Sequence, residues 1–247
     1  MWRDAPPHFF EAEAAGLGWL AEAASRGGAR VARVLDLGDD HIELEAVPEG
    51  RPSTAAAEAF GRALAVTHAA GAEAFGAPAA GWHGDAWIGR QPQRNEPVPS
   101  WGLFYAEQRV RPFVRAAVDH GTLDLAGAHV VEALLDQIAA GTFDDDRPPA
   151  RIHGDLWSGN VLWSPSGVVL IDPAAHGGHG LTDLAMLGLF GCPGLERITA
   201  SYAEAAGLSI GWRDLVGLHQ LHPLAVHAVS HGPAYAARLV AVAQGYA

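Results

Sequence analysis

Apolar residues near the N-terminus recur first at helical and then at strand spacing. Residues 9–25 place phenylalanine, tryptophan and leucine at intervals typical of a helix, and a glycine pair follows as a stop. Residues 31–37 and 41–47 are two short apolar or alternating runs separated by a Gly-Asp-Asp turn. The pattern predicts one helix followed by a β-hairpin.

The sequence Pro-Glu-Gly-Arg-Pro at 48–52 interrupts this pattern. Proline and glycine break helices and strands, so we place a hinge here between a partial small lobe at 1–47 and a large lobe at 53–247. The large lobe is predicted to be mainly helical, with a Gly- and Pro-rich loop at 71–100. Its predicted helices are 54–70, 101–120, 126–140 and the region from 181 onward, and its predicted strands are 151–153, 160–163 and 168–171.

Composition and net charge indicate a globular protein and argue against several classes of partner. With 247 residues, 49% of them hydrophobic, the chain can bury a substantial core. A net charge of -12 opposes binding to nucleic acid or to anionic lipid. No run approaches the ~20 apolar residues of a membrane span, and the single Cys192 cannot form an internal disulfide. We therefore expect a cytoplasmic protein without a nucleic-acid or membrane partner.

The most informative polar residues lie where the predicted strands meet. The sequence HGDLWSGN at 153–160 places Asn160 five residues after Asp155, and the hairpin that follows ends at Asp172. Phosphoryl transfer needs a carboxylate at the accepting hydroxyl and oxygen ligands for magnesium at the phosphates. Kinase catalytic loops carry an aspartate and an asparagine at this spacing. The pattern predicts an ATP-dependent phosphotransferase with Asp155 as base and Asn160 and Asp172 as Mg²⁺ ligands.

A second, similar sequence shows how specific this pattern is. Residues 83–89 read HGDAWIG, but Arg90 stands five positions after Asp85, and no apolar strand ending in a carboxylate follows. We therefore predict that Asp85 is an ordinary loop residue. The alternative for 153–172 is a purely structural turn, in which the aspartates and the asparagine cap backbone groups. That alternative explains each residue separately but not their joint spacing.

Other chemistries have weaker support. The chain has 13 histidines, and His219 with His222 and His227 with His231 are three and four residues apart on a predicted helix. No carboxylate or cysteine accompanies them in a known ligand pattern, so we predict core or surface histidines rather than a metal site. A nucleophilic hydrolase would need a G-x-S-x-G elbow, which the sequence lacks. A protein that binds ligand without turnover stays open as the main alternative.

Three motifs carry a family resemblance: HGDLWSGN at 153–160, IDPAAHGGH at 171–179 and DLAMLGLFG at 183–191. They resemble the fructosamine (ketosamine) kinase family, within the aminoglycoside phosphotransferase and protein-kinase-like superfamily, and the similarity covers almost the whole chain. The resemblance implies an α+β, protein-kinase-like fold of two lobes, with an N-terminally truncated small lobe and a mainly helical large lobe. It also implies phosphorylation by ATP and Mg²⁺ of a sugar hydroxyl on a small-molecule or protein-bound ketosamine, which releases the amine. An aminoglycoside or other small molecule is the alternative acceptor.

The resemblance also implies residue roles. Asp155 matches the family's proton acceptor, and Asn160 and Asp172 match its metal ligands. His153 and Asp183 are expected to brace the catalytic loop through hydrogen bonds. Trp157 has two open roles, packing or stacking on a sugar ring. The backbone that holds adenine in such kinases falls here at Glu45, Ala46 and Val47.

The sequence departs from the family at two places. The family's glycine-rich turn and its small-lobe lysine are missing, and this sequence has no lysine at all, so the matching helix glutamate, Glu13, lacks its partner. Two explanations of the missing segment are open: the natural protein is longer, or it is a degenerate kinase. The intact polar motif at 153–172 favours the longer protein. Gly180 and Leu181 stand where relatives usually have arginine and glutamate. That change affects either the order of the catalytic loop or the substrate specificity.

Overall fold

The N-terminal part contains the predicted helix and hairpin. The computed structural model describes residues 5–246. Helix α1 buries Phe10, Leu17 and Leu20 along one face. The elements in chain order are α1 (Phe9–Ala21), a 3₁₀ turn (Glu22–Arg26), β1 (Arg30–Val31), β2 (Val34–Gly38) and β3 (His41–Leu44).

The predicted run at 31–37 is not a single strand, because its first residue belongs to a different sheet. Strand β1 pairs in parallel with β8 (Gly167–Leu170), where Arg30 lies opposite Val169. Only β2 pairs with β3, and a bulge lies between Val34 and Asp36. The pairing of β1 with β8 therefore joins the N-terminal part to the large lobe through main-chain hydrogen bonds. The sequence did not predict this pairing, because a two-residue strand is too short to show a pattern.

The large lobe is mainly helical, as predicted. Ser53 caps its first helix by accepting a hydrogen bond from the N–H of Ala56 at 3.2 Å. The helices are α2 (Thr54–Ala69), α3 (Trp101–Phe104), α4 (Arg111–Asp119), α5 (Leu125–Ala139), α6 (Gly180–Phe190), α7 (Leu195–Ala205), α8 (Val216–His231) and α9 (Pro233–Gln244). Short 3₁₀ turns occur at Ser158–Asn160 and Trp212–Leu215.

The predicted helix at 101–120 is interrupted. A π-helical segment, Tyr105–Val110, separates α3 from α4, and the N–H of Arg111 donates to the carbonyl of Ala106, five residues back. Pro112 follows at the start of α4 and has no N–H to donate, so the regular ladder cannot continue through it.

The remaining strands surround the motif at 153–172. Strands β7 and β8 form the predicted antiparallel hairpin. The prediction of a plain loop at 71–100 was wrong in part, because a second hairpin, β4–β5, lies within it. Strand β9 was also missed; it pairs with β6. The bounds are β4 (Ala86–Ile88), β5 (Gln91–Gln93), β6 (Ala150–Ile152), β7 (Val161–Ser164) and β9 (His176–Gly178).

Helix α6 joins the two hydrophobic clusters of the core. Met186 and Leu189 pack with residues of α4, α5, α8 and α9, whereas Leu181, Leu184 and Leu187 pack with residues of α1, α2, α7 and β8. A helix that is apolar on nearly every face is a buried one. Within residues 5–246, no helix is both long and apolar enough to cross a lipid bilayer.

Three histidines, His176, His219 and His222, are buried in this interior. Burial, reinforced by neighbouring positive or imidazole charge, holds the pKa of each well below its usual value of 6.5. They are therefore neutral in the folded protein, while the unfolded chain takes up protons as the pH falls below about 6.5. The unfolded state then binds more protons, so the free energy of unfolding falls as the pH drops.

The substitution His219→Gln tests this predicted loss of stability at lower pH. Between pH about 7.5 and pH about 5.5, we expect the wild type to lose about 1.4 kcal/mol more stability than the variant, because the variant lacks one group that protonates on unfolding. Urea unfolding at the two pH values measures the difference. Since carboxyl groups titrate in the same range, the difference between the two chains is the test, and equal losses would contradict the prediction.

Candidate active site

The loop between β6 and β7 is held in shape by His153 and Gly154. Gly154 has φ +81°, and a Cβ there would lie 2.2 Å from the carbonyl oxygen of Ala174, so only glycine fits. Burial lowers the pKa of His153, which keeps the ring neutral. Its Nε2 pairs with the carbonyl of Ile171 at 2.9 Å, and its Nδ1 accepts from the N–H of Asp155 at 3.3 Å. His153 thus connects the loop to the end of β8.

Asp183, in the first turn of α6, fixes the same loop from the other side. Its two carboxylate oxygens accept the N–H groups of His153 at 2.8 Å and Gly154 at 2.9 Å. Burial alone would raise the pKa of Asp183, but the hydrogen bond and charge of His68, together with the contributions of His153, outweigh it and hold the pKa below its usual value. The structure thus places His153 and Asp183 where a bracing role is expected.

His68 and Tyr202 complete this buried network, and the sequence analysis missed both. His68 Nε2 lies 3.0 Å from Asp183, and its Nδ1 lies 2.7 Å from the hydroxyl of Tyr202. Neither residue belongs to the three motifs, since His68 lies in the last turn of α2 and Tyr202 lies on α7. No local pattern marks them, because the contacts join elements more than a hundred residues apart.

Asp155, Asn160 and Asp172 converge as the spacing predicts. Asn160 Nδ2 lies 2.8 Å from the carbonyl oxygen of Asp155, 3.4 Å from Asp155 Oδ2 and 3.3 Å from the carbonyl oxygen of Asp172. Because Nδ2 makes these contacts, the Asn160 Oδ1 remains as a possible ligand. Asp172 adopts φ +51°, a left-handed conformation that residues other than glycine rarely take. Such backbone strain is often found at functional sites.

The Asp155 carboxyl has the properties of a group that exchanges protons near neutral pH. Burial, followed by the negative charges of Asp172 and Asp183, raises its pKa to about 7, while the contact with Asn160 opposes the shift. A base whose pKa lies near the working pH is well matched to general base catalysis. The environment thus suits the predicted role.

Glu13 also reaches this cluster. Burial, followed by the charge and the hydrogen bond of Asp172, raises the pKa of Glu13 to about 8. At neutral pH Glu13 is therefore mostly protonated, so it does not add a second negative charge beside Asp172. Within residues 5–246, Glu13 pairs with Asp172 and not with a cation.

The donor set fits magnesium that arrives with phosphates. Mg²⁺ in phosphoryl-transfer sites is held by one or two protein oxygens, with phosphate oxygens and water completing an octahedron. Asn160 Oδ1 and the Asp172 carboxylate are oxygen donors of this kind. In the described part of the chain, no three His, Cys, Asp or Glu side chains form a metal-binding group of their own.

Two cavities meet at the loop. The α1 cavity has a volume of about 220 Å³ and is lined by Glu13, Asp155, Asn160 and Asp172, together with Trp82 and Trp87. The α8 cavity, of about 540 Å³, lies between the β4–β5 hairpin and the C-terminal end of α8. Gly89, Asp155 and Trp157 line both.

Trp157 is 43% exposed, which is unusual for so large an apolar side chain. A Cβ at Gly159 would lie 2.2 Å from its ring, so the glycine makes room for the indole. The ring therefore borders both cavities with an accessible face.

Residues 45–47, the backbone predicted to hold adenine, do not line the α1 cavity. The N–H of Glu45 donates to the carbonyl of Arg33 at 2.9 Å, and its carboxylate pairs with Arg30 and Arg33. Ala46 is exposed and Val47 is half-buried. The N–H of Gly50, within 48–52, donates to Trp163 of β7 at 2.8 Å.

Three further positions bear on questions that the sequence raised. Asp85 lies in a loop before β4, as predicted, and its carboxylate accepts the N–H of Asn95 at 3.2 Å. Leu181 is buried in the core and lines neither the α1 nor the α8 cavity. At Gly180, a Cβ would lie 2.4 Å from the Tyr202 hydroxyl and 2.7 Å from His68, so the bracing network occupies the space of a side chain.

The fructosamine kinase family model matches residues 3–245. The chain belongs to the fructosamine kinase family. A Synechocystis protein named "Probable ketoamine kinase" is 34% identical over 74% of this chain and 60% of its own length. A protein of the same name from Lactiplantibacillus plantarum is 30% identical over 92% of this chain and 78% of its own. The chain thus spans about three fifths to four fifths of these relatives.

Solved structures give the same family and fold. The crystal structure of a candidate fructosamine-3-kinase from Thermobifida fusca is 47% identical, with a TM-score of 0.90 over 98% of this chain and 81% of that one. A macrolide 2'-phosphotransferase from Brachybacterium faecium shares the fold at 19% identity, with a TM-score of 0.55 over 96% of this chain and 81% of that one. The expected α+β, protein-kinase-like fold is confirmed.

Proposed function

We propose that the protein transfers a phosphoryl group from ATP to a sugar hydroxyl of a ketosamine, with Asp155 as the base. The convergence of Asp155, Asn160 and Asp172 at one cavity, in a chain of the fructosamine kinase family, carries this proposal. Relatives named as ketoamine kinases support the choice of acceptor. We further propose that residues 1–47 and 53–247 act as two lobes about 48–52, with Glu45, Ala46 and Val47 at the adenine.

Each residue has a defined task in this mechanism. Asp155 accepts the proton of the attacking hydroxyl, and its buried position favours the transfer near neutral pH. Asn160 and Asp172 would hold Mg²⁺, and ATP with Mg²⁺, when bound, supplies the transferred group and neutralises its charge. Asp183 and His153 keep the loop in position, so that Asp155 does not move away from the hydroxyl.

The rival function is ligand binding without turnover. Magnesium-dependent ADP release from ATP separates the two, with fructosyl-lysine, ribulosyl-lysine and kanamycin as acceptors. We expect release that needs a ketosamine and Mg²⁺, since the base and the oxygen donors are all present. Nucleotide binding by calorimetry without ADP release would favour the rival, and release with kanamycin alone would favour an aminoglycoside phosphotransferase.

A further inference from the structure

The α8 cavity meets the proposed base but not the proposed metal ligands. Asp155 lines it, whereas Asn160 and Asp172 line only the α1 cavity. In-line phosphoryl transfer requires the attacking and leaving oxygens to lie on opposite sides of the phosphorus. If the phosphates enter from the α1 cavity, the hydroxyl must reach Asp155 from another direction. The α8 cavity provides that direction, and its volume of about 540 Å³ is that of a small-molecule pocket.

An aromatic wall forms one side of this cavity. His227 and His231, one turn apart on α8, stack with ring centroids 4.7 Å apart and an interplanar angle of 19°. Helix α8 ends at His231, and α9 then places the Tyr235 ring 5.0 Å from the His227 ring. The Phe190 ring lies with its centroid 4.7 Å from that of His227. Together these four rings line the cavity with an aromatic surface of the kind on which sugar rings stack.

The wall also offers hydrogen-bond partners for hydroxyl groups. Burial lowers the pKa of His227, so its ring is neutral at physiological pH. Its Nδ1 lies 2.8 Å from the carbonyl of Pro223, which places the proton on Nδ1 and leaves Nε2 as an acceptor. The Ser230 hydroxyl, paired with His231 Nδ1 at 2.8 Å, lies at the same cavity. The site thus combines ring faces with neutral polar groups.

The charges of the residues that line the α8 cavity distinguish a ketosamine from an aminoglycoside as the acceptor. Among the described residues that line the α8 cavity, Asp155 is the only carboxylate, and Arg90 and two histidines are the basic groups. An aminoglycoside carries several ammonium groups, which need several acidic partners when they leave water. The ketosamine group itself has one amine and a ring or chain of neutral hydroxyls. The single carboxylate in the lining therefore matches a ketosamine better than an aminoglycoside.

We propose that the wall of His227, His231 and Tyr235 binds the sugar of the acceptor and directs its hydroxyl to Asp155. This assignment rests on the proposed phosphotransfer, since it identifies which cavity takes the acceptor. His231 and Ser230 are exposed and Val226 is buried, so the cavity has an open rim and a closed floor. The sugar lies against the wall with its hydroxyl towards Asp155, and the amine substituent extends past the rim towards solvent.

Direct binding tests the wall without requiring turnover. Fructosyl-lysine is titrated into the wild type, His231→Ala and His227→Leu, followed by calorimetry. His231 is exposed, so its removal does not threaten folding. His129→Ala is the matched control, because His129 is an exposed histidine on α5 that does not line the cavity. We expect the Kd for fructosyl-lysine to rise about tenfold in both wall variants, the loss of one stacking and hydrogen-bonding partner, and to stay unchanged in the control.

The possible outcomes distinguish this proposal from the proposed function. Where the wild type turns over, the KM for fructosyl-lysine should rise in the wall variants while the KM for ATP does not. If the chain releases no ADP but its affinity for fructosyl-lysine falls in the wall variants, the proposed phosphotransfer is contradicted and the wall assignment is supported. Unchanged affinity in both wall variants, no binding of fructosyl-lysine by the wild type, or kanamycin binding that competes with it would overturn the wall assignment.

Discussion

Asp155→Ala is expected to lower kcat for ketosamine phosphorylation by about a thousandfold, the range in which the loss of a positioned general base falls. The KM for ATP should change little, since Asp155 is assigned to the hydroxyl and not to the nucleotide. The loop should keep its shape, because the 2.8 Å contact of Asn160 is made to the main-chain carbonyl of residue 155, which alanine retains. Coupled ADP-release kinetics and a thermal unfolding curve measure both effects.

Asp85→Ala is the matched control for this experiment. Asp85 lies in a similar His-Gly-Asp sequence, but in an exposed loop, and it does not line either cavity. We expect it to retain the kcat of the wild type. Undiminished turnover in Asp155→Ala, or an equal loss in both variants, would remove Asp155 from the role of base.

Asp172→Asn is expected to lower kcat by a similar factor, but for a different physical reason. The substitution keeps the shape of the side chain but removes one negative charge from the proposed magnesium ligands. The stabilisation of transferred charge by a bound metal amounts to several kcal/mol, so kcat should fall by about a hundredfold to a thousandfold. Unlike Asp155→Ala, this variant should require more Mg²⁺ for half-maximal rate.

Nucleotide binding gives a readout that does not depend on turnover. Calorimetry with ADP should show that Mg²⁺ strengthens binding in the wild type and in Asp155→Ala, and much less in Asp172→Asn. Asp119→Asn, an exposed change at the end of α4, serves as the control for loss of one charge. If Asp172→Asn keeps the full response to Mg²⁺, then Asp172 is not a metal ligand.

The sequence determined the local features of the site. The spacing of Asp155 and Asn160 and the strand ending before Asp172 are properties of one continuous segment, so the pattern could place all three residues together. The helix and strand periodicities also predicted most elements, because each of these buries one face. The strands β4, β5 and β9 were missed, since three residues show no clear period and the glycines and prolines in and around them indicate loops.

The tertiary structure decided what depends on distant contacts. The buried chain from Asp183 through His68 to Tyr202 joins α6, α2 and α7, and no spacing within the sequence marks it. Burial, followed by the charge and the hydrogen bond of Asp172, raises the pKa of Glu13, and both conditions arise only in the folded chain. The aromatic wall at the α8 cavity likewise exists only because α8, α9 and the β4–β5 hairpin meet beside Asp155. Burial and charge proximity are properties of the folded chain, so the sequence could name the catalytic candidates but not their environment.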